Sequence, residues 1–422
     1  MNQPFFTFDD RILALSYEAD GICRGPFAAI EKTAVYNACK VLSAFQKHRV
    51  GESHFAGTTG YGYGDRGRDT LDAVFASVFG AEDALVRHHF VSGTNAITTA
   101  LFGVLRPGDR MVCISGTPYD TLHAVLGLRG ENYGSLKDFG IQYDEIPLRA
   151  DGKVDLDKIP KAVKGAKVAY LQRSRGYSLR PSITIDEITK IAGIVKAADR
   201  NVIFIVDNCY GEFVERHEPT DAGADLIIGS LIKNPGGGIA RTGGYIAGRA
   251  DLIELCAHRM TSPGMGREVG CSLDETRNMY MGLFFAPEVT AAALKTAVFA
   301  AAVFSKMGYR VLPSPQEYRA DIIQTVVLKS EKKLAAFCRG IQRGAPVDSF
   351  VTPEAWDMPG YEDRVIMAAG AFHMGASIEL SADGPVREPY AAWMQGGLTA
   401  ATGRLGVLLA AQELDSCREQ CP

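Results

Sequence analysis

Short β-rich runs recur at 110–114, 166–171, 201–206 and 226–228, and between them lie stretches with the apolar spacing of helices, such as 95–104 and 185–198. Strands separated by helices in this way form a mostly parallel sheet, because each crossover must carry the chain back before the next strand can pair. The alternation therefore predicts an α/β domain whose sheet is covered by helices. A helix precedes it, with Ile30, Ala34, Ala38, Val41, Leu42 and Phe45 at helical spacing over 27–49. After Ile253 long helical periodicity runs through Lys306, and a smaller α+β module follows. Its expected elements are a strand at 321–328, a helix from Glu331, a strand at 377–380 and a last helix over 399–414. Three regions result: an amino-terminal helical arm at 1–56, a central α/β domain at 57–270 and a carboxy-terminal α+β domain at 271–422.

Composition narrows the function. With 46% hydrophobic and 22% charged residues among 422, the chain can bury sizeable cores unaided. Lys plus Arg number 45 against 49 Asp plus Glu, and no basic tract is long enough to track a phosphate backbone, which argues against a nucleic-acid partner. The longest uncharged apolar stretch, 296–305, falls short of the roughly 20 residues of a bilayer crossing and reads as a buried helix. The start, MNQPFFTFDDR, has neither the basic nor the apolar part of a secretory signal, so a cytoplasmic protein is expected. Nine cysteines, scattered and never spaced Cys-x-x-Cys, argue against a disulfide framework and a zinc site. They read as small buried apolar residues, with Cys209 set apart because it lies beside a candidate catalytic acid.

Four features of the central domain suggest one binding site. Ser92-Gly93-Thr94-Asn95 is a small polar turn opening a helix, where free N–H groups and the helix dipole can hold a phosphate. Tyr119, in SGTPYDT, follows a strand at a point where its ring could cover a flat cofactor. Asp207 ends the apolar run VIFIV, at the carboxyl end of a buried strand, where α/β folds place ligands. Lys233, in SLIKNPGGG, follows a second buried strand, with Ser230 three residues earlier. The glycines follow this lysine and no Lys-Ser or Lys-Thr pair closes the segment, so it is not a Walker A loop. Read singly, these are a helix cap, a core tyrosine, a structural acid and an exposed lysine. Together, an acid for a pyridine nitrogen, a lysine able to form a Schiff base and a phosphate cup are what pyridoxal phosphate requires.

The order SGTN, PYDT, VDNCYGE, SLIKN is similar to the fold-type I pyridoxal-phosphate enzymes of the cystathionine and methionine lyase group. The longer segments GYGYGDRGRDTL, QRSRGYSLRPS and IELSADGPVREPY resemble its methionine gamma-lyase-related, or aluminium-resistance, branch. The resemblance runs over nearly the whole chain. It implies the fold-type I transferase fold, with pyridoxal phosphate on Lys233, Asp207 against the ring nitrogen and Tyr119 stacked on the ring. Ser92, Gly93, Thr94 and Ser230 are implied phosphate contacts. From the glycine-rich arm, Tyr61 or Tyr63 with Arg66 or Arg68 is implied to reach a neighbouring subunit's phosphate, making the protein at least a homodimer and, by the group's habit, a homotetramer.

Two positions depart from the lyase pattern. Ile232 stands where a small hydroxyl residue normally precedes the lysine. Glu379 occupies the Arg-Leu-Ser strand position whose arginine binds the substrate carboxylate, and a glutamate cannot do so. Arg387 is the expected replacement, with Arg404 and Arg173 behind it. The implied activity is carbon–sulfur bond cleavage in an amino acid such as cystathionine or methionine, giving keto acid, ammonia and thiol. Aminotransferase or aldolase chemistry on the same fold is the alternative, and a non-catalytic metal-tolerance protein is a third reading, which the absence of a dense acidic cluster disfavours.

Overall fold

The computed structural model describes residues 4–130, 134–358 and 361–419; Cys421 lies outside them. The chain divides into two compact units, one of Tyr36–Ala286 and the other of the flanking segments up to Val35 and from Pro287. In chain order the elements as far as the second boundary are α1 (Asp10–Lys47), α2 (Arg66–Val78), β1 (Asp83–Arg87), α3 (Gly93–Val104), β2 (Arg110–Cys113), α4 (Asp120–Leu126), β3 (Gln142–Glu145), α5 (Ile159–Val163), β4 (Val168–Gln172), α6 (Ile185–Ala198), β5 (Ile203–Asp207), β6 (Leu226–Ser230), β7 (Gly244–Gly248), α7 (Ala250–Met260) and α8 (Thr276–Lys306). Both boundaries fall inside long helices, rather than at 56/57 and 270/271 as the sequence suggests. Val41 and Ala44 of α1, and Met279, Tyr280, Leu283 and Ala286 of α8, are buried in the first core, which draws those turns into the α/β unit.

The α/β unit is built on a seven-stranded sheet of order β1-β7-β6-β5-β4-β2-β3. Neighbours from β6 to β3 are parallel, and β7 runs antiparallel to both β6 and β1. Strands β4, β5 and β6 are buried along their whole length, as expected of parallel strands covered on two faces. Their side chains sort by parity. Ala169, Leu171, Phe204, Val206 and Ile227 join one core with α2, α6 and the start of α8. Val168, Tyr170, Ile203, Ile205, Leu226 and Ile228 join another with α3, α4 and α7. This period of two decides which residues at the strand ends share a face.

The second unit carries β8 (Arg310–Leu312), β9 (Gln324–Val327), α9 (Glu331–Arg343), β10 (Ala355–Trp356), β11 (Val365–Ala368), β12 (Ser381–Pro385), β13 (Ala391–Gln395) and α10 (Ala400–Glu419). Its six strands pair antiparallel in the order β10-β11-β12-β13-β9-β8. The strand expected at 377–380 is irregular, and β12 begins at Ser381. The backbone N–H of Glu379 is taken by Ser377 Oγ at 3.1 Å, a local bond that competes with the ladder, and its carboxylate accepts from the backbone N–H groups of Phe372 and His373. Helix α8 is long and apolar enough to cross a membrane, with mean hydropathy 1.4, yet 78% of its apolar window is buried inside the protein.

Candidate active site

Three strands of the α/β unit end side by side at Gln172, Asp207 and Ser230. Gln172 is registered with Asp207 across β4 and β5. By the parity of their strands, all three belong to the face covered by α3, as Tyr170 does two residues before Gln172. The Tyr170 hydroxyl lies 3.5 Å from Asp207 Oδ2, and the backbone N–H of Cys209 donates to Oδ1 at 3.1 Å. Burial pushes the Asp207 carboxyl up, while the charge on Lys233 and the N–H of Cys209 pull the other way.

Helix α3 begins at the same edge. Ser92 is its N-cap, its hydroxyl accepting from the backbone N–H of Asn95 at 3.1 Å, which occupies one of the unpaired donors of the first turn. Gly93 is buried so tightly that a Cβ there would meet Ser230 Cβ at 3.2 Å and Cys209 Sγ at 3.4 Å. Glycine is thus required for the helix end to approach β6 and the turn after β5. Thr94 bonds Thr121 at 2.8 Å through their hydroxyls, linking the starts of α3 and α4. Tyr119, the residue before α4, donates its backbone N–H to Gln172 Oε1 at 2.7 Å, and its ring meets Tyr177 edge-on with centroids 5.7 Å apart.

Lys233 lies just beyond β6, its Nζ 4.1 Å from the centroid of the Tyr210 ring. Burial disfavours its ammonium, yet the surrounding Cys209, Tyr210, Asp207 and Glu212 hold it above its ordinary range. Burial also keeps the Cys209 thiol far above its usual pKa, so Asp207 is the neighbour best able to supply negative charge at neutral pH. Asn234, fully buried, anchors the turn by donating to the carbonyl of Glu212 at 2.9 Å.

This arrangement, a lysine and an acid at adjacent strand ends beneath a helix amino terminus, has close counterparts. The sequence profile of methionine gamma-lyase matches residues 12–415. The chain belongs to the methionine gamma-lyase family. It is 53% identical to protein YnbB of Bacillus subtilis over 92% of both chains. A crystal structure of a carbon–sulfur lyase involved in aluminium resistance from Clostridium novyi NT superimposes with a TM-score of 0.93, at 49% identity over 96% of each chain. Identity to the L-methionine gamma-lyase of Pseudomonas putida is 29%, over 44% of this chain and 41% of that one. As a family member the protein is a fold-type I pyridoxal-phosphate enzyme. The chemistry of the donor set fits that group: an anion cup at Gly93, Thr94 and Ser230, an acid and a lysine, all at one sheet edge.

Other expected site residues have partners of their own. Arg173 follows Gln172 by one residue and so belongs to the opposite face, where it is fully buried. Its guanidinium binds Asn208 Oδ1 at 2.7 Å, the carbonyl of Gly211 at 2.9 Å and Glu215 at 2.6 Å, and this anchors the loop after β5 instead of a substrate. Arg68 is 3% exposed and donates to the carbonyls of Gly62 and Gly270 at 3.0 Å, pinning the glycine-rich arm within its own subunit. Arg66 is exposed, and Tyr61 and Tyr63, each 66% exposed, stack with centroids 5.5 Å apart. Arg387 and Arg404 belong to the second unit, paired with Asp363 at 2.7 Å and with Asp20 respectively. Gln172, Tyr170, Tyr210 and Glu212 were not picked out from sequence. The last two stand inside the VDNCYGE segment, and the parity of β4 marks the first two.

Proposed function

We propose that the protein cleaves a carbon–sulfur bond of a sulfur-containing amino acid, with Lys233 bearing the cofactor and serving as the base at the substrate's Cα. Asp207 holds the proton of the ring nitrogen, the α3 terminus with Gly93, Thr94 and Ser230 receives the phosphate, and Tyr119 covers the ring. The bound cofactor supplies a sink for the electron pair released when the Cα–H bond breaks. Supporting this reading above all is the position of Asp207 and Ser230 at adjacent strand ends on the α3 face, with Gly93 packed against Ser230. Ser92 can add its hydroxyl proton, since the cap uses that hydroxyl only as an acceptor.

Of the three arginines considered for the substrate carboxylate, Arg387 is favoured. It is 44% exposed and its partner Asp363 is also near solvent, so the pair can be exchanged for a substrate at little cost, whereas Arg404 sits 4.3 Å over the Phe299 ring. Arg387→Ala should raise KM and leave the cofactor's visible absorbance unchanged. Exposed Arg66 replaces Arg68 as the residue offered to a neighbouring subunit in a homodimer or larger assembly. Mixing Lys233→Ala with Arg66→Ala subunits should then restore about a quarter of native activity through dimers with one intact site. A cytoplasmic location fits the free thiols of the eight described cysteines.

The deciding experiment supplies cystathionine or methionine without a keto-acid acceptor and scores keto acid, ammonia and thiol together. All three should appear. Turnover that needs an acceptor and releases no thiol would make the protein an aminotransferase.

A further inference from the structure

We propose that Glu212 is a positioning residue for Lys233: its main chain anchors the lysine's turn through Asn234, and its carboxyl, by gaining or losing one proton, resets the charge Lys233 faces. The inference rests on Lys233 bearing the cofactor. Glu212 is fully buried on the far side of β6 from Ser230, where a Cβ on Gly229 would strike its Oε1 at 2.4 Å and the Tyr245 ring at the same distance. The glycine before Ser230 therefore makes room for an acid behind the strand. Oε1 accepts from the Tyr245 hydroxyl at 3.0 Å, and Oε2, equally buried, has no hydrogen-bond partner. A carboxylate with one bare oxygen in such a place is costly, whereas a neutral acid is tolerated. Burial accordingly pushes Glu212 up to about 8.

The groups around it are few. Glu218 accepts from the N–H of Phe213 at 3.0 Å and from Asn208 at 3.0 Å, and faces Lys40 at 4.0 Å and Arg173 at 3.9 Å. Its charge opposes ionisation of Glu212, while Glu212's own backbone N–H, Tyr245 and Lys233 favour it. Asp207 and Cys209 act on Lys233 as well. A charge appearing on Glu212 therefore acts on a lysine already balanced by Asp207, and holds its nitrogen protonated to higher pH.

Visible absorbance of the full-length, cofactor-loaded protein should show an inflection near pH 8 that vanishes in Glu212→Gln, which stays neutral. In Tyr245→Phe it should move to higher pH, because the donor that stabilises the carboxylate is gone. Difference infrared spectra should show a protonated carboxyl band lost over the same range in the native protein and missing from Glu212→Gln. If Glu212→Gln does not fold, the Tyr245→Phe titration decides alone. An unmoved inflection in either variant overturns the role of Glu212. Recovery of borohydride-fixed cofactor on another lysine instead sinks the Lys233 assignment, so the two failures are distinguishable.

Discussion

Two regions of this protein bury carboxyl groups and treat them in opposite ways. At the carboxyl edge of the parallel sheet, Asp207 receives the backbone N–H of Cys209 at 3.1 Å, the Cys209 thiol and a long contact from Tyr170, Glu212 receives its own backbone N–H and the Tyr245 hydroxyl, and burial pushes both up. In the antiparallel unit, Glu379 accepts from the N–H groups of Phe372 and His373 and from Ser377 Oγ, and lies 3.5 Å from the His373 ring. Burial opposes its charge too, yet these donors, led by His373, hold it below the ordinary carboxylate range. Burial is deeper at the sheet edge and donors are more plentiful around Glu379, and the two together decide the charge. An acid fully served by its own chain holds a loop together. One left short of donors is available to a ligand or a proton.

The comparison can be broken most directly at the sheet edge. Lys233→Ala should lower turnover by about 10²- to 10⁴-fold, the range typical of a removed general base, and abolish the cofactor's visible band. Native-like absorbance in that variant would place the cofactor elsewhere. Asp207→Asn keeps the shape but not the charge; losing a charge-assisted hydrogen bond of about 1.5–3 kcal/mol should weaken cofactor binding by ~10- to 150-fold. If equilibrium dialysis found equal affinity, Asp207 would be a structural acid like Glu379. Glu379→Ala should do the reverse, lowering stability in urea titrations by about 1–3 kcal/mol through stranded N–H donors while leaving the cofactor spectrum alone.

A last contrast concerns pH and separates the two kinds of acid. Glu212 rises from 4.5 to about 8 on folding, so between those values the folded state binds more protons than the unfolded, and its contribution to stability falls as pH rises. Glu379 shifts the other way, so its contribution is complete above the ordinary value of 4.5 and is lost only as pH falls below it. Melting temperatures measured from pH 5 to 8 should therefore decline less steeply in Glu212→Gln than in the native protein. Glu379→Gln should leave that slope intact. Equal slopes in all three would show that Glu212 is not the acid titrating in this window.

The sequence alone pointed to a mostly parallel sheet and to Asp207 and Ser230 near the carboxyl ends of two of its strands. Both depend on local pattern: buried parallel strands are apolar throughout, and a polar residue that ends one, such as Asp207 or Ser230, announces itself. Strands β1, β3 and β7 escaped notice; β7 runs back antiparallel from β6 with no α-helix between them, so the strand–helix alternation does not mark it. Which arginine points where was beyond the pattern. Arg173 and Gln172 are neighbours in sequence and lie on opposite faces, and only the register of β4 with β5 says which face holds the site. Arg68 and Arg66 differ in the same way, the first bound to carbonyls of Gly62 and Gly270, the second exposed. The strand expected at 377–380 is irregular, the N–H of Glu379 being taken by Ser377 Oγ and its carboxylate by the N–H groups of Phe372 and His373. Tertiary structure settled these points because a side chain's charge and direction depend on donors brought from distant parts of the chain, and no local window of sequence contains them.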